Sequence, residues 1–517
     1  MSASSDSGGA GAGPGGAIPA PENWSEAETW AWAEIRAGRI ANFHARFGEL
    51  DPKDPKGWDD RRKLGQAFLE TILLHEPYRG AIPRQGVRIL GAWFPEPIDL
   101  ENARIEYELG LAHCRFEAKV NLRRMNILGP LSLQGSSFGD TLNMQSLQVD
   151  DDLFMRGGAE FAEVDLRSAR VGGQLSMNGS KFGGTMTMDS LRVDGSLFMR
   201  GGAEFAEVIL RGAKIGEQLD MTGSTFGGTL NMESIEVGSY LLMRDGKFAE
   251  PVQLIFATIK SSLNLSGARL ADLDFTGARI SGELHLGSGE HPATTWSPGA
   301  RLVLRNTHVG ALQDREDAWP ETLELEGFTY GRLGGFLGGG GAAGDMAKRP
   351  ARWFIDWLAK DRSFSPQPYQ QLAEVFRAGG QTGKAHDILY AGRERERRAA
   401  EGATWWTSGL KWWGLFLLMI TIGYGLGYRY FRALGWVVVL VLLGAIVLAV
   451  TGEGPAHGMP WGLSYSLDHL LPVVQLVKSH YAIELDGFAR YYFYAHKLMG
   501  YVLASFLIAG LAGLTQK

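Results

Sequence analysis

Two stretches 44 residues apart are almost identical, DLFMRGGAEFAEV at residues 152–164 and SLFMRGGAEFAEV at residues 196–208. A shorter period of 11 lies inside this long one, because an apolar residue begins a new unit at every eleventh position from Val87 to Leu263. The consensus is L-x-[LM]-x-[GS]-[AS]-x-[FIV]-x-x-x. Less regular units begin at Leu273, Leu284, Leu302 and Leu323.

This pattern predicts stacked β-strands. The L-x-L step has the period of a strand, so both apolar side chains face one way and the residue between them faces out. Small residues follow where the chain must turn, and the apolar residue at the eighth position faces inward again. No unit can bury its apolar side chains alone, so we expect a mainly β parallel solenoid with about 22 residues per coil and about ten coils. Dense Gly, Ser and Thr exclude a helical repeat.

Composition restricts the classes of function. The chain has 517 residues, of which 45% are hydrophobic, so a wholly disordered protein is excluded. A net charge of −6 argues against a nucleic-acid partner. The single cysteine, Cys114, cannot form an internal disulfide or a cysteine-based zinc site, and we read it as a small turn residue. No catalytic residue, cofactor or metal site is predicted.

Shifts in composition divide the chain into segments. Ser25 and Glu28 have the spacing of a capping box at the start of a helix. GGGGAAG (338–344) satisfies G-x-G-x-x-G, but it is typical of a flexible linker here, since no strand–helix context surrounds it. The expected segments are a disordered tail (1–22), an N-terminal helical cap (23–86), the solenoid (87–332), a Gly-rich linker (333–348), a helical hairpin (349–400) and a membrane domain (401–517).

Two apolar segments are long enough to span a membrane, residues 433–450 and 498–514. Residues 412–428 are also uncharged, but basic clusters flank them on both sides, so we expect them to lie in the membrane interface. TIGYG (421–425) matches a potassium-channel filter, but no span precedes it, which favours coincidence. We therefore expect a multi-pass protein of the inner (cytoplasmic) membrane, with two transmembrane helices and the solenoid in the cytoplasm.

Three large apolar residues fall at the same outward position in alternate coils, and an arginine follows each of them two residues later. These six residues are a candidate binding surface. The alternative for the arginines is that they form solvent-exposed ion pairs between successive coils. They are Phe154, Phe198, Leu242, Arg156, Arg200 and Arg244.

Methionines recur at the third position of the units. They could hold a soft metal such as Cu(I), but we interpret them as inward core residues, because Leu occupies the same position in other units. The methionines are Met144, Met155, Met177, Met188, Met199, Met221, Met232 and Met243.

The segment 461–477, between the two expected spans, carries Asp468 and His469. One interpretation places both residues in a pore, because a carboxylate at membrane depth requires a functional reason. The other is an amphipathic helix on the outer membrane surface, in which Asp468 is hydrated. We favour the surface helix.

The stretch LNLSGARLADLDFTGARI (263–280) resembles the pentapeptide-repeat family, whose units build a right-handed, quadrilateral β-helix. The dominant period here is 11 rather than 10, so the shape of the coil cross-section stays open. FTYGRL (328–333), RWFIDWL (352–358) and PQPYQQLAEVFRAGGQTGKA (366–385) are similar to segments of bacterial solenoid proteins with a C-terminal membrane anchor. That resemblance implies the label "membrane-associated oxidoreductase".

The function expected from these features is a non-enzymatic, membrane-anchored scaffold that presents a cytoplasmic binding surface. An oligomeric two-span pore or effector, gated by the solenoid, is the alternative, and the oxidoreductase implied by the resemblance is the third candidate. The expected partners are membrane lipid and a protein, self-association stays open, and no nucleic acid is expected.

Overall fold

Each 11-residue unit forms two short strands separated by a turn, and two units complete one coil. The computed structural model describes residues 18–288, 290–336, 346–399, 410–422, 424, 431–459, 461–471 and 474–515. The chain divides into two compact units, Met1–Lys348 and Arg349–Lys517. The GGGGAAG linker, most of the expected disordered tail and the two glycines of TIGYG lie outside the described residues.

The first unit is a parallel β-solenoid of about 11 coils with a repeat of about 22 residues, close to the ten coils expected. Each coil crosses four ladders of parallel strands in turn. In the regular part of the repeat a residue pairs with the one 22 positions later, as Leu131 does with Leu153 and Val149 with Val171. The coil therefore has four strand-bearing sides.

Most strands belong to one of the four ladders. The first ladder contains Ala41–Asn42, Val87–Leu90, Leu109–Ala112, Leu131–Ser132, Leu153–Phe154, Leu175–Ser176, Leu197–Phe198, Leu219–Asp220, Leu241–Leu242 and Leu263–Asn264. The second contains Trp93–Phe94, Arg115–Phe116, Thr225–Phe226, Lys247–Phe248, Arg269–Leu270 and Thr295–Trp296. The third contains Ile98–Asp99, Val120–Asn121, Leu230–Asn231, Val252–Gln253, Leu273–Asp274, Arg301–Val303 and Thr322–Glu324. The fourth contains Arg104–Ile105, Asn126–Ile127, Gln148–Val149, Arg170–Val171, Arg192–Val193, Lys214–Ile215, Glu236–Val237 and Thr258–Ile259.

Seven longer strands continue around a corner from one ladder to the next. Ser137–Asn143, Glu160–Asp165, Lys181–Thr187 and Glu204–Ile209 join the second and third ladders. Arg279–His285, His308–Gln313 and Thr329–Leu333 join the fourth and first ladders.

The interior is filled by the residues that the repeat predicts to face inward. All eight methionines at the third position are fully buried, which confirms that they belong to the core. On the second ladder, eight phenylalanines from Phe94 to Phe248 form one continuous stack, with neighbouring ring centroids 4.4–5.0 Å apart. Because each of these eight coils contributes one ring, the stack packs every one of them against its neighbours.

The duplicated stretch departs from the consensus at its eighth position, where Glu160 and Glu204 occur in place of an apolar residue. The inward rings are Phe161 and Phe205, one position later. The extra residue is taken up by the Gly157–Gly158 pair, in which both glycines have φ above 70°. Glycine reaches this left-handed region without strain, so the turn can lengthen by one residue and the stack is not interrupted.

The N-terminal cap is helical, as predicted. Its α-helices are Glu26–Arg36, Phe43–Phe47 and Gln66–Leu74, with 3-10 turns at Asp60–Arg62 and Arg79–Ala81. Ser25 and Glu28 form the predicted capping box at the start of the first helix.

The regular elements described in the second unit are helices. It contains Ala351–Ala359, Gln367–Ala378, Thr382–Ala399, Leu410–Ile422, Phe431–Val450, Glu453–Ala456, Leu463–Leu470 and Gly487–Thr515, with a 3-10 turn at Lys478–Ala482; a further 3-10 turn, Met346–Lys348, ends the first unit. Three helices, rather than the hairpin alone, therefore occupy residues 349–400. Among the described residues, one helical segment, Arg432–Val450, is long and apolar enough to cross a membrane.

Candidate functional site

The Phe–Arg column, defined as Phe154, Phe198, Leu242, Arg156, Arg200 and Arg244, lies along the outside of the first ladder. Its apolar members alternate with smaller residues in strict register, because the 44-residue duplication spans two coils. The outward residues are Ser132, Phe154, Ser176, Phe198, Asp220, Leu242 and Asn264.

The two phenylalanines of the column carry arginine side chains on their rings. The guanidinium of Arg156 lies 4.2 Å from the ring centroid of Phe154, and that of Arg200 lies 4.6 Å from Phe198. Arg200 also forms an ion pair of 2.8 Å with Asp220 in the next coil. Aromatic stacking therefore holds these cations against the first ladder and limits their rotamers.

The column is less exposed than its outward position predicts. Phe154, Phe198 and Leu242 are each half-buried, since adjacent coils flank all three and arginines lie on the two rings. Ser176, which the pattern also places outward, is only 1% exposed because Phe154 and Phe198 flank it in register. At the equivalent position two coils later, Asp220 is also buried, and its carboxylate is neutralised by Arg200.

The second candidate group contains Asp468, on the short helix Leu463–Leu470. Its side chain is 0% exposed, so the expected hydrated position on a surface helix is wrong. The carboxylate accepts hydrogen bonds from the backbone amides of Leu476 at 2.8 Å and Val477 at 3.2 Å, and Nδ1 of His480 lies 3.0 Å from it.

These contacts explain the protonation state of Asp468. Burial by itself would raise the pKa of this carboxyl, but the two amides and His480 outweigh it and hold the pKa below its ordinary value. Asp468 therefore remains a carboxylate inside the fold. Its hydrogen bonds connect the helix Leu463–Leu470 to residues 476–480, which follow it in the chain. This arrangement accounts for a buried charge without a pore.

His469 faces a different environment from that of its neighbour. Its ring lies between Tyr465 and Tyr481, with centroids 4.1 Å and 4.8 Å away. Nδ1 lies 3.1 Å from the backbone oxygen of Tyr465, and because a carbonyl can only accept, Nδ1 carries the proton and Nε2 is left as an acceptor. Burial lowers the pKa of His469, which favours the neutral ring.

A cavity of about 400 Å³ adjoins His469. Charged side chains of both signs line it, namely Glu484, Arg490 and Lys497. Arg490 is held by Asp486, at 2.8 Å. The cavity can take a small amphiphilic molecule, and among the described residues that line it no nucleophile is hydrogen-bonded to a general base.

His480, Tyr481, Ser466 and His496 complete this region, and sequence reasoning missed all four. Nε2 of His496 lies 3.1 Å from the backbone oxygen of Ser466, and both side chains are buried. Gly444 permits this contact, since a Cβ there would lie 2.1 Å from Oγ of Ser466. The recurrence of His and Tyr through residues 465–496 was the available signal.

The remaining candidate, Cys114, lies in the solenoid core. Its thiol is fully buried, and burial raises its pKa to about 12. It is therefore a structural residue rather than a reactive one. Within the described part of the chain, no group of three or more His, Cys, Asp or Glu side chains is arranged to hold a metal ion.

No protein-family model, no curated protein and no solved structure matches this chain.

Proposed function

We propose that this protein is a membrane-anchored scaffold whose solenoid binds a protein partner through the Phe–Arg column. The observation that carries the proposal is the pair of stacked side chains, Arg156 on Phe154 and Arg200 on Phe198, repeated two coils apart. Arginine and aromatic residues are enriched among the residues that contribute most to binding energy at interfaces. Held on a ring, an arginine also loses less conformational entropy when it binds.

The chemistry of the column defines the partner. Its arginines would pair with carboxylates, and the half-buried edges of Phe154, Phe198 and Leu242 would pack against apolar side chains. A partner segment that carries acidic and apolar residues in alternation fits this surface. Because the solenoid is rigid, it would present this binding surface without losing conformational entropy when the partner binds.

The anchor is the second part of the proposal. The helix Phe431–Val450 exposes Leu434, Val438, Leu442 and Ile446, an apolar surface that is unfavourable in water and favourable in lipid. We place two spans at 433–450 and 498–514, with 412–428 in the interface. The right-handed solenoid and both termini would then lie in the cytoplasm, at the inner membrane.

The binding surface is tested by two matched triple variants. One replaces Arg156, Arg200 and Arg244 by glutamine. The other replaces the arginines at the same repeat position on the third ladder, Arg123, Arg167 and Arg211, and so removes the same charge.

Proteins cross-linked to the full-length protein in cells would be identified and quantified for each variant. We expect specific partners to be lost with the first set and kept with the second. Equal loss with both sets, or no specific partner of the wild type, would contradict the proposal.

The topology is tested with single cysteines at Ser5 and Gln516 in a Cys114→Ala background. An impermeant thiol reagent should label neither position in intact cells and both after permeabilisation. Labelling of Gln516 alone in intact cells would require an odd number of spans and would remove the two-span anchor.

A pore is the second candidate, and one observation favours it. The short helix Leu463–Leu470 packs between Phe431–Val450 and Gly487–Thr515, the order of a span, a pore helix and a second span. Asp468 is an unsuitable ion ligand in this arrangement, because its oxygens are already occupied. Purified protein in liposomes distinguishes the two functions, since the scaffold should leave the ion leak of empty liposomes unchanged.

A further inference from the structure

The fourth ladder carries a run of positive charge on its outer side. Arg170, Arg192 and Lys214 occupy the same outward position in three successive coils, each aligned with the next. All three side chains are exposed. Neighbouring strands are about 4.8 Å apart, so like charges in this register repel one another and destabilise the coil.

Several other cations on the solenoid are paired with acids in adjacent coils. Arg211 lies 2.8 Å from Asp189, and Arg123 lies 3.3 Å from Glu101. Within the described residues, Arg170 and Arg192 make no such pair. Lys214 reaches Glu236 at 2.7 Å, which neutralises only one end of the run. The folded solenoid thus has an uncompensated positive centre between two coils.

This centre lines a groove of about 240 Å³. Lys260 adds a fourth cation, and Asp194 and Glu236 are the acids, so the lining has twice as many positive as negative side chains. Two of the positions that line the groove are glycine by necessity. A Cβ at Gly216 would lie 2.0 Å from the backbone oxygen of Asp194, and one at Gly238 would lie 1.9 Å from that of Gly216. The corner beside the cations is therefore free of side chains.

We propose that this groove binds a compact polyanion that carries phosphoryl groups, such as a triphosphate. Arginine forks pair with two phosphate oxygens at once, and two of them in adjacent coils would grip neighbouring phosphoryl groups. The volume fits a small ligand rather than a folded protein segment. A bound polyanion also removes the repulsion between Arg170 and Arg192, which gives the like-charged register a physical reason.

The test uses the full-length protein in a neutral detergent, with inorganic triphosphate as the probe and no divalent cation present. Calorimetry should show saturable binding of one triphosphate per chain. Arg170→Gln and Arg192→Gln should each weaken binding about tenfold or more, because each removes a charge-assisted hydrogen-bonded pair. Arg211→Gln, which removes the same charge on another ladder, should leave the affinity unchanged.

A second arm compares inorganic triphosphate with ATP. Equal affinities would assign recognition to the phosphoryl groups alone, whereas tighter ATP binding would add a nucleoside contact, and both results support the site. Absence of saturable binding of either compound would overturn the proposal. So would equal weakening by Arg211→Gln, or binding of acidic peptides or anionic vesicles through Arg192 without triphosphate binding.

Stability without ligand provides an independent check. Arg192→Gln removes repulsion, so the melting temperature of the ligand-free protein should stay level or rise. Arg211→Gln breaks an ion pair, so it should not raise the melting temperature. A fall with Arg192→Gln alone would mean that the cation is required for folding, which contradicts a site built for a ligand.

Discussion

The phenylalanine stack makes a quantitative test of how the coils stabilise one another. Phe182 lies between Phe161 at 4.9 Å and Phe205 at 5.0 Å, with interplanar angles of 8° and 5°, and it is 2% exposed. The variant Phe182→Leu keeps an apolar side chain but loses both ring contacts. At about 0.5–1.5 kcal/mol for each aromatic pair, the free energy of unfolding should fall by about 1–3 kcal/mol.

A double-mutant cycle separates the stack from simple burial. In the variant with both Phe182→Leu and Phe205→Leu, the contact between the two rings is lost only once. The combined effect should therefore be smaller than the sum of the single effects by about 0.5–1.5 kcal/mol. Phe248 is three ring-to-ring steps from Phe182, so Phe182→Leu and Phe248→Leu should add within about 0.5 kcal/mol.

The measurement is guanidinium unfolding of the full-length protein in detergent, followed by the β-sheet circular dichroism signal. Additive effects for Phe182 and Phe205 would show that the rings contribute burial alone. Equal interaction energies for the near pair and the distant pair would show that contacts between neighbouring coils do not determine the stability of the solenoid. Such a result would contradict the nearest-neighbour description of repeat proteins.

Three further results are expected. Met199→Asp places an unpaired carboxylate in the core and should lower the free energy of unfolding by more than about 3 kcal/mol. Gln148→Asp on the exposed side of the fourth ladder lies beside Arg170 of the next coil, so it should not lower the free energy of unfolding. Equal losses in the same unfolding assay would overturn the register. Asp468 has a lowered pKa in the fold, so its contribution to stability is present above its ordinary value of 3.8 and lost as the pH falls through the lowered one. Melting curves recorded between neutral and acid pH should therefore lose part of their acid decline in Asp468→Asn, and an unchanged decline would assign it to other carboxyls. Cys114 should react with a maleimide only after denaturation, because its thiol is buried and its pKa is raised to about 12. Rapid labelling of the native protein would show that Cys114 lies at the surface.

The coil and its inward residues could be predicted from the sequence, because the direction of a strand side chain is a local property. Successive residues face opposite sides, so the L-x-M step alone places Met199 in the core, and a period of 11 requires stacking. The capping box at Ser25 is equally local. The Phe–Arg column was found by the same logic, since its members recur at one position of the repeat.

Exposure could not be read in this way, because it depends on residues that are distant in sequence. Ser176 faces outward, but Phe154 and Phe198, each 22 positions away, cover it. The Gly157–Gly158 turn moved an inward ring by one position, which only the pairing of Phe161 with its neighbours reveals.

The second unit shows the same limit more strongly, because it has no repeat to supply register. Asp468 was expected in water, yet the amides of Leu476 and Val477 and the ring of His480 enclose it. Nothing in its local sequence marks these partners. The sequence by itself determined the solenoid, whose periodic pattern sets the side that each residue faces. Only the tertiary structure decided which outward residues remain open to solvent and how a buried charge is satisfied, because both depend on chains brought together by folding.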